Sequence, residues 1–159
     1  MLRHLLDRSP RITGWLIAAS LLSACGATGN AKLGVRDGAL QPCPSSPNCV
    51  CSDVADPSHR IEPLKIDIGS AEDAWREVRQ AVAAMPRTRI VEEREDYLRA
   101  ECRSAAFRFI DDLELNLRPE TGTIAVRSAS RLGYSDMGVN RRRVERLRAA
   151  LQARGTIIR

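Results

Sequence analysis

Two groups of residues hold most of the chemistry this sequence can offer: five cysteines, and a polar stretch from Asp111 to Arg141. In the stretch, Phe107, Phe109, Asp111, Leu113, Leu115 and Leu117 share one parity, so along a strand a carboxylate points with the apolar side chains. A turn at Pro119-Glu120-Thr121-Gly122 pairs Arg118 with Thr123. Leu117 then opposes Ile124, Leu115 opposes Val126, Leu113 opposes Ser128 and Asp111 opposes Ser130. On the other face Glu114 opposes Arg127 as a cross-strand ion pair. One end of the inner face thus gathers Asp111, Ser128 and Ser130. A buried carboxylate needs a partner, and Arg131, Tyr134 and Arg141 are the available ones. Such a cluster has two uses. It can lock the loop from Leu132 to Gly138 over the sheet end, with Ser135 or Asp136 capping the next helix. Alternatively, helix N-terminal amides with Arg127, Arg131 and Arg141 can hold a carboxylate or phosphate. The structural use is the favoured one. Asp111 and Asp112 are adjacent on a strand and diverge to opposite faces, so they form no carboxylate dyad. With no histidine nearby and no Gly-rich phosphate loop, no catalytic residue is assigned.

Cys25 differs from the other cysteines. It closes the run Leu22-Ser23-Ala24-Cys25, behind a basic stretch (Arg3, Arg8, Arg11) and an apolar one (Trp15 to Leu22). These are the parts of an export signal, and the run resembles a bacterial lipobox. The apolar segment from Ile12 to Ala24 is shorter than the roughly 20 residues of a spanning helix. The expectation is a signal over residues 1–24, lipidation at Cys25, and a chain anchored in the cell envelope. Gly26 after the cysteine implies the periplasmic face of the outer membrane, by the sorting rule for such lipoproteins.

Removing Cys25 leaves Cys43, Cys49, Cys51 and Cys102, an even number outside the cytoplasm, which reads first as disulfides. A Cys49–Cys51 bridge would close a strained ring. Two pairings stay open: Cys43–Cys49 with Cys51–Cys102, or Cys43–Cys51 with Cys49–Cys102. Zinc ligands favour C-x2–4-C spacing, which the C-x5-C-x-C run does not offer, and His59 is the only histidine after the leader. Neither metal nor cofactor is expected.

The elements that must position these residues follow from periodicity. Residues 25–41, with four glycines after Cys25 and no aromatic residue, read as the lipidated N-terminus and a flexible tether. A domain over 42–159 begins with the loop CPSSPNCVCS. Leu64, Ile66 and Ile68 alternate as a half-buried strand. Ser70-x-x-Asp73 opens a helix whose stripe is Ala74, Trp75, Val78, Ala81, Val82 and Met85, ended by Pro86. Strands follow at Arg89–Glu92, Tyr97–Cys102, Phe107–Leu117 and Thr123–Ser130. A last helix runs from Met137 to Ala153, with Val144, Leu147 and Leu151 facing in and Arg142, Glu145 and Arg146 facing out. The order β-α-β-β-β-β-α implies an α+β single domain, an antiparallel sheet of about five strands with two helices on one face.

Nearly all the cations are arginine. Without Arg3, Arg8, Arg11 and Asp7 of the leader, 22 cations stand against 19 anions, a net charge of +3. That is too little to argue for nucleic acid.

The segments CPSSPNCVCS, YLRAECRS, FRFIDDLE and RSASRLGYSDMGVNRRRVE, in this order and spacing, resemble the domain of unknown function 1499 family over roughly residues 40–155. The resemblance implies small exported or membrane-associated proteins and no particular activity. It maps motif positions onto Cys43, Pro47, Asn48, Cys49, Asp111, Asp112, Arg127, Ser128, Ser130, Arg131, Tyr134, Asp136, Asn140 and Arg141. The chain departs from the family at Cys51, where serine is usual, and at Cys102, where an aromatic or aliphatic residue is. Departing together, they imply Cys43–Cys49 as the shared bridge and Cys51–Cys102 as an added one.

The expected function is a non-catalytic binding or scaffolding domain at the membrane surface. Its contact site would be Asp111, Arg127, Ser128, Ser130, Arg131, Tyr134, Asp136, Asn140 and Arg141. Its partners are the membrane through the lipid, and an envelope protein or anionic envelope component. The alternatives are a small hydrolase or transferase for an anionic envelope substrate, and an accessory subunit of a membrane complex.

Overall fold

The structure, a computed structural model, describes residues 32–67, 69–105 and 108–158. The leader, Cys25, Ile68 and Phe107 lie outside the described residues.

The fold starts with a small hairpin. Strands β1 (Val35–Arg36) and β2 (Ala39–Leu40) pair around Asp37-Gly38. Both turn residues have positive φ, 51° and 75°, which a two-residue type I′ turn demands and an Asp-Gly pair supplies. Leu40 is buried against Cys51, Tyr97 and Ala125. The tether expected to reach residue 41 is therefore folded at its C-terminal end, because Leu40 has an apolar seat to fill.

The main sheet comprises β3 (Cys49–Cys51), β4 (Leu64–Lys65), β5 (Thr88–Glu93), β6 (Tyr97–Arg103), β7 (Ile110–Arg118) and β8 (Thr123–Ser130). Its order is β3-β8-β7-β6-β5, all antiparallel, with β4 also on β8. β3 pairs with the C-terminal end of β8 and β4 with its N-terminal end, so the two share one edge. β3 falls within the cysteine loop read as irregular from its prolines; three residues are too few to show alternation.

The β7–β8 register runs from Asp111↔Ser130 to Arg118↔Thr123 as the turn chemistry requires, with Leu113↔Ser128 and Glu114↔Arg127 between. Gly122, at φ 62°, closes the turn, a conformation glycine adopts without strain. The expected start of β7 at Phe107 is corrected to Ile110. Arg108 has φ 55°, which breaks the alternation, and Phe109 is 52% exposed instead of sharing the inner face.

Helix α1 (Ala71–Ala83) is capped by Ser70, whose hydroxyl accepts from the Asp73 amide at 3.1 Å. It buries Ala74, Trp75, Val78, Ala81 and Val82, the expected stripe. Helix α2 (Val139–Ala153) starts two residues later than expected, because Met137 and Gly138 have φ of 52° and 77°. Val144, Leu147 and Leu151 face in, and Arg142, Glu145 and Arg146 face out. Both helices cover one face, where Trp75, Val78, Leu147 and Leu151 meet Leu98, Leu113, Leu115 and Val126. The architecture is α+β. The β1–β2 hairpin lies against the other face, so β7 is buried on both sides. No helix among the described residues is long and apolar enough to cross a membrane.

Candidate functional site

The polar end of the sheet forms as the register dictates, and three ion-pair systems divide its residues. On the inner face Asp111, 4% exposed, accepts from Arg143 Nη2 at 2.5 Å. Arg143 Nη1 also donates to Ser128 Oγ at 2.9 Å and to Asn140 Oδ1. The Ser128 hydroxyl donates to Asn140 Oδ1 at 2.7 Å. Asn140 Nδ2 in turn donates to the Asn48 carbonyl at 2.9 Å and to Ser130 Oγ at 3.0 Å. Five side chains from β7, β8 and α2 are thus linked to one another, and through Asn48 they hold the end of the cysteine loop. A buried carboxylate and guanidinium are tolerable when paired and hydrogen-bonded in this way.

The partner of Asp111 is Arg143, not the expected Arg131, Tyr134 or Arg141. Helical phase explains it: Asn140, Arg143, Val144, Leu147 and Leu151 form the buried stripe of α2, and Arg143 is the member of the Arg141-Arg142-Arg143 run on that stripe. The spacing to Val144 and Leu147 carries this signal.

On the outer face Arg127 and Glu114 pair at 2.5 Å, both with essentially no exposure. Glu114 also accepts from the Tyr97 hydroxyl at 2.8 Å and from the Gly34 amide at 2.6 Å. Burial, then the Glu114 charge, pushes the Tyr97 phenol well above its ordinary range. Arg131 lies at the rim of the same face. Its Nε and Nη2 donate to Asp112 at 2.7 and 2.8 Å, and Nη2 donates to Glu101 at 2.8 Å. These charged hydrogen bonds, to Asp112 first, raise its pKa further. Arg99 adds a longer contact to Asp112 at 3.3 Å.

The remaining candidates do not join them. Arg141 points away, its Nη2 donating to the Arg60 carbonyl at 2.8 Å. Tyr134 is 76% exposed. Asp136 caps α2: its carboxylate accepts from the Gly138 and Asn140 amides at 2.9 and 2.7 Å. The anion site pictured from Arg127, Arg131, Arg141 and the helix amides is therefore not assembled. Two of its arginines are neutralised by carboxylates, the third is elsewhere, and Asp136 occupies the amides. A cleft of about 420 Å³ beside the cluster is lined by Lys32, Ser46, Asn48, Arg127, Ser130 and Gly133, among others. Arg127 Nε, buried beside it, has no hydrogen-bond partner among the described residues.

Cys43 and Cys49 form a disulfide with Cα atoms 5.6 Å apart. Cys51 and Cys102 are buried free thiols, so the Cys51–Cys102 bridge is corrected, as is the alternative Cys43–Cys51 pairing. Cys51 aligns with Arg127 and Glu114, on the outer face; Cys102 aligns with Asp111 and Ser130, on the inner face. Alternation puts the thiols on opposite sides of the sheet. Burial pushes Cys51 up to about 11 and raises Cys102 as well. His59 is buried, with Nδ1 at 2.8 Å from Asp56 and Nε2 at 3.1 Å from the Ser46 carbonyl. No group of three or more His, Cys, Asp or Glu suited to a metal occurs among the described residues.

Fold and site together define a small α+β domain in which a disulfide-bearing loop, a polar sheet end and the start of α2 are tied into one unit. The family model described as a protein of unknown function, DUF1499, matches residues 39–151, and the chain belongs to that family. No curated protein shows a significant match to the chain.

Proposed function

We propose that this chain is a lipid-anchored, non-catalytic domain of the bacterial envelope that binds or scaffolds at the membrane surface. In this reading Cys25 carries the lipid, and the domain stands at the periplasmic face of the outer membrane. The observation that carries it is the loop between β8 and α2. Leu132, Tyr134 and Met137 are 69%, 76% and 86% exposed on it, yet its backbone is held at several points. Asn48 Nδ2 donates to the Gly133 carbonyl at 2.5 Å, Asp136 binds the amides after it, and Arg142 donates to the Met137 carbonyl at 2.8 Å. Large apolar side chains presented in water on a fixed backbone suit contact with a partner. A general acid or base needs a titrating group free to reach substrate, whereas the carboxylates beneath this loop accept from arginines.

The anchor supports the same end. Lys32 and Gly133 line one cleft, so the chain enters the domain beside the loop. The seven residues from Cys25 to Ala31 span at most about 25 Å, which would keep the loop close to the bilayer. The partner is an envelope protein or an anionic envelope component, and an accessory role in a membrane complex is the variant the exposed apolar loop favours.

The test places a photocrosslinking residue at Tyr134 in intact membranes, with Glu95, in the β5–β6 turn at the other end of the sheet, as control. A discrete crosslink at Tyr134, lost in Leu132→Asp and absent at Glu95, is the expected result. Equal yields at both positions would overturn the contact assignment. Cys25→Ser should abolish lipid labelling and release the chain from the membrane fraction; retained labelling would overturn the anchor.

A further inference from the structure

A groove of about 510 Å³ lies on the helical side of the same sheet end, between the C-terminal turn of α1, the exposed flank of α2 and the starts of β5 and the β6 exit. Its volume falls within the range of small-molecule sites. Its floor is apolar, with Ala81, Met85, Val139 and Leu147. Its rim carries Arg87, Arg103, Arg142, Arg143, Arg146 and Arg154, and among the described residues no carboxylate lines it.

The rim charges are poorly compensated. Arg143 is committed to Asp111, and Arg154 lies 3.5 Å from Glu77. Among the described residues, Arg87 and Arg142 donate only to main-chain carbonyls, of Arg103 at 3.3 Å and Met137 at 2.8 Å. Arg103 and Arg146 are exposed, and neither makes an ion pair among the described residues. Four guanidiniums around one concavity repel each other, and an anion placed among them relieves that repulsion. Guanidinium also binds phosphate through paired hydrogen bonds. Of the two wall hydroxyls, Thr88 Oγ1 donates to the Pro86 carbonyl at 3.2 Å and Ser104 Oγ accepts from the Phe109 amide at 3.0 Å. A sugar or base would find few groups to recognise it, while an alkyl chain would cover the floor.

We propose that this groove binds a single-chain anionic amphiphile, with its phosphate among Arg87, Arg103, Arg142 and Arg146 and its alkyl chain on the Met85–Leu147 floor. The assignment does not rest on lipidation of Cys25 or on the contact loop, and stands if either fails.

The test is photoaffinity labelling of the full chain in phosphatidylcholine nanodiscs with a diazirine-bearing dodecyl phosphate, followed by peptide mapping. Labels are expected in the α1 C-terminal turn and α2, displaced by unmodified dodecyl phosphate. Inorganic phosphate alone and dodecyltrimethylammonium should each displace at least tenfold less well. Arg103→Glu with Arg146→Glu should lower labelling tenfold or more, and Arg103→Lys with Arg146→Lys should retain most of it. Several results would overturn the proposal. Inorganic phosphate competing as well would indicate an anion site without a tail; the cationic amphiphile competing as well would indicate apolar partition. Undiminished labelling of the charge-reversed variant, or labels confined to the Leu132–Met137 loop, would also dismiss the groove.

Discussion

At the polar end of the sheet, Arg127, Arg131 and Arg143 each meet a carboxylate within 2.9 Å; in the neighbouring groove, Arg87, Arg103, Arg142 and Arg146 line a concavity without one. The same residue type serves two purposes in adjoining regions that share Arg143. In the first region, charge is consumed in holding together β7, β8, α2 and the cysteine loop. In the second it is left over. A guanidinium already paired with a carboxylate attracts a further anion less than one without such a partner, so the proposed anion recognition falls to the groove. Arg143 stands between the two, paired with Asp111 inside and lining the groove outside.

The largest effect expected from breaking the contrast is at Arg143 itself. Arg143→Met leaves Asp111 buried without a counter-charge and should cost about 3–5 kcal/mol in chemical denaturation. Asp111→Leu combined with it should recover most of that loss, since an apolar pair replaces an ionic one. A cost below about 1 kcal/mol for the single change would show that this end is not closed by the pair.

A smaller effect lies with the two thiols, one on each side of the sheet. Burial holds Cys51 neutral up to about 11, above its unfolded value, so the unfolded chain loses that proton first as pH rises. The stability this contributes is intact below about pH 9 and falls by on the order of 2 kcal/mol as pH passes through 11. Cys51→Ala should reduce the alkaline slope, with Cys102 and Tyr97, both also raised by burial, supplying what remains; the measurement is denaturation midpoint against pH. Cys102 lines the groove and should react with iodoacetamide before Cys51; the reverse order would contradict an open groove.

The smallest effect is expected where charge is unspent. Arg146→Ala should change stability by no more than about 0.5 kcal/mol, measured by thermal melt. A loss near that of Arg143→Met would mean the groove arginines are structural too.

Much of this was legible locally. The β7–β8 ladder follows from one turn and one parity, because a two-residue period allows no partial slip. The Glu114–Arg127 pair follows from that ladder. The Asp37-Gly38 hairpin was legible as well, in a signal overlooked within a glycine-containing stretch. Phe109 was misplaced because a single residue of positive φ, Arg108, reverses parity without changing composition. The Asp111 partner was misassigned because three consecutive arginines look alike until α2 is rotated onto the core.

By itself, the sequence determined the two helices, the strands from β4 to β8, the β7–β8 register and the presence of a carboxylate at the polar end, since these depend on neighbours along the chain or across one turn. Only the tertiary structure decided which arginine meets Asp111, which two cysteines bridge and which arginines stay unpaired. Those outcomes depend on helix phase and sheet face, which bring together residues such as Asn48 and Asn140, 92 positions apart.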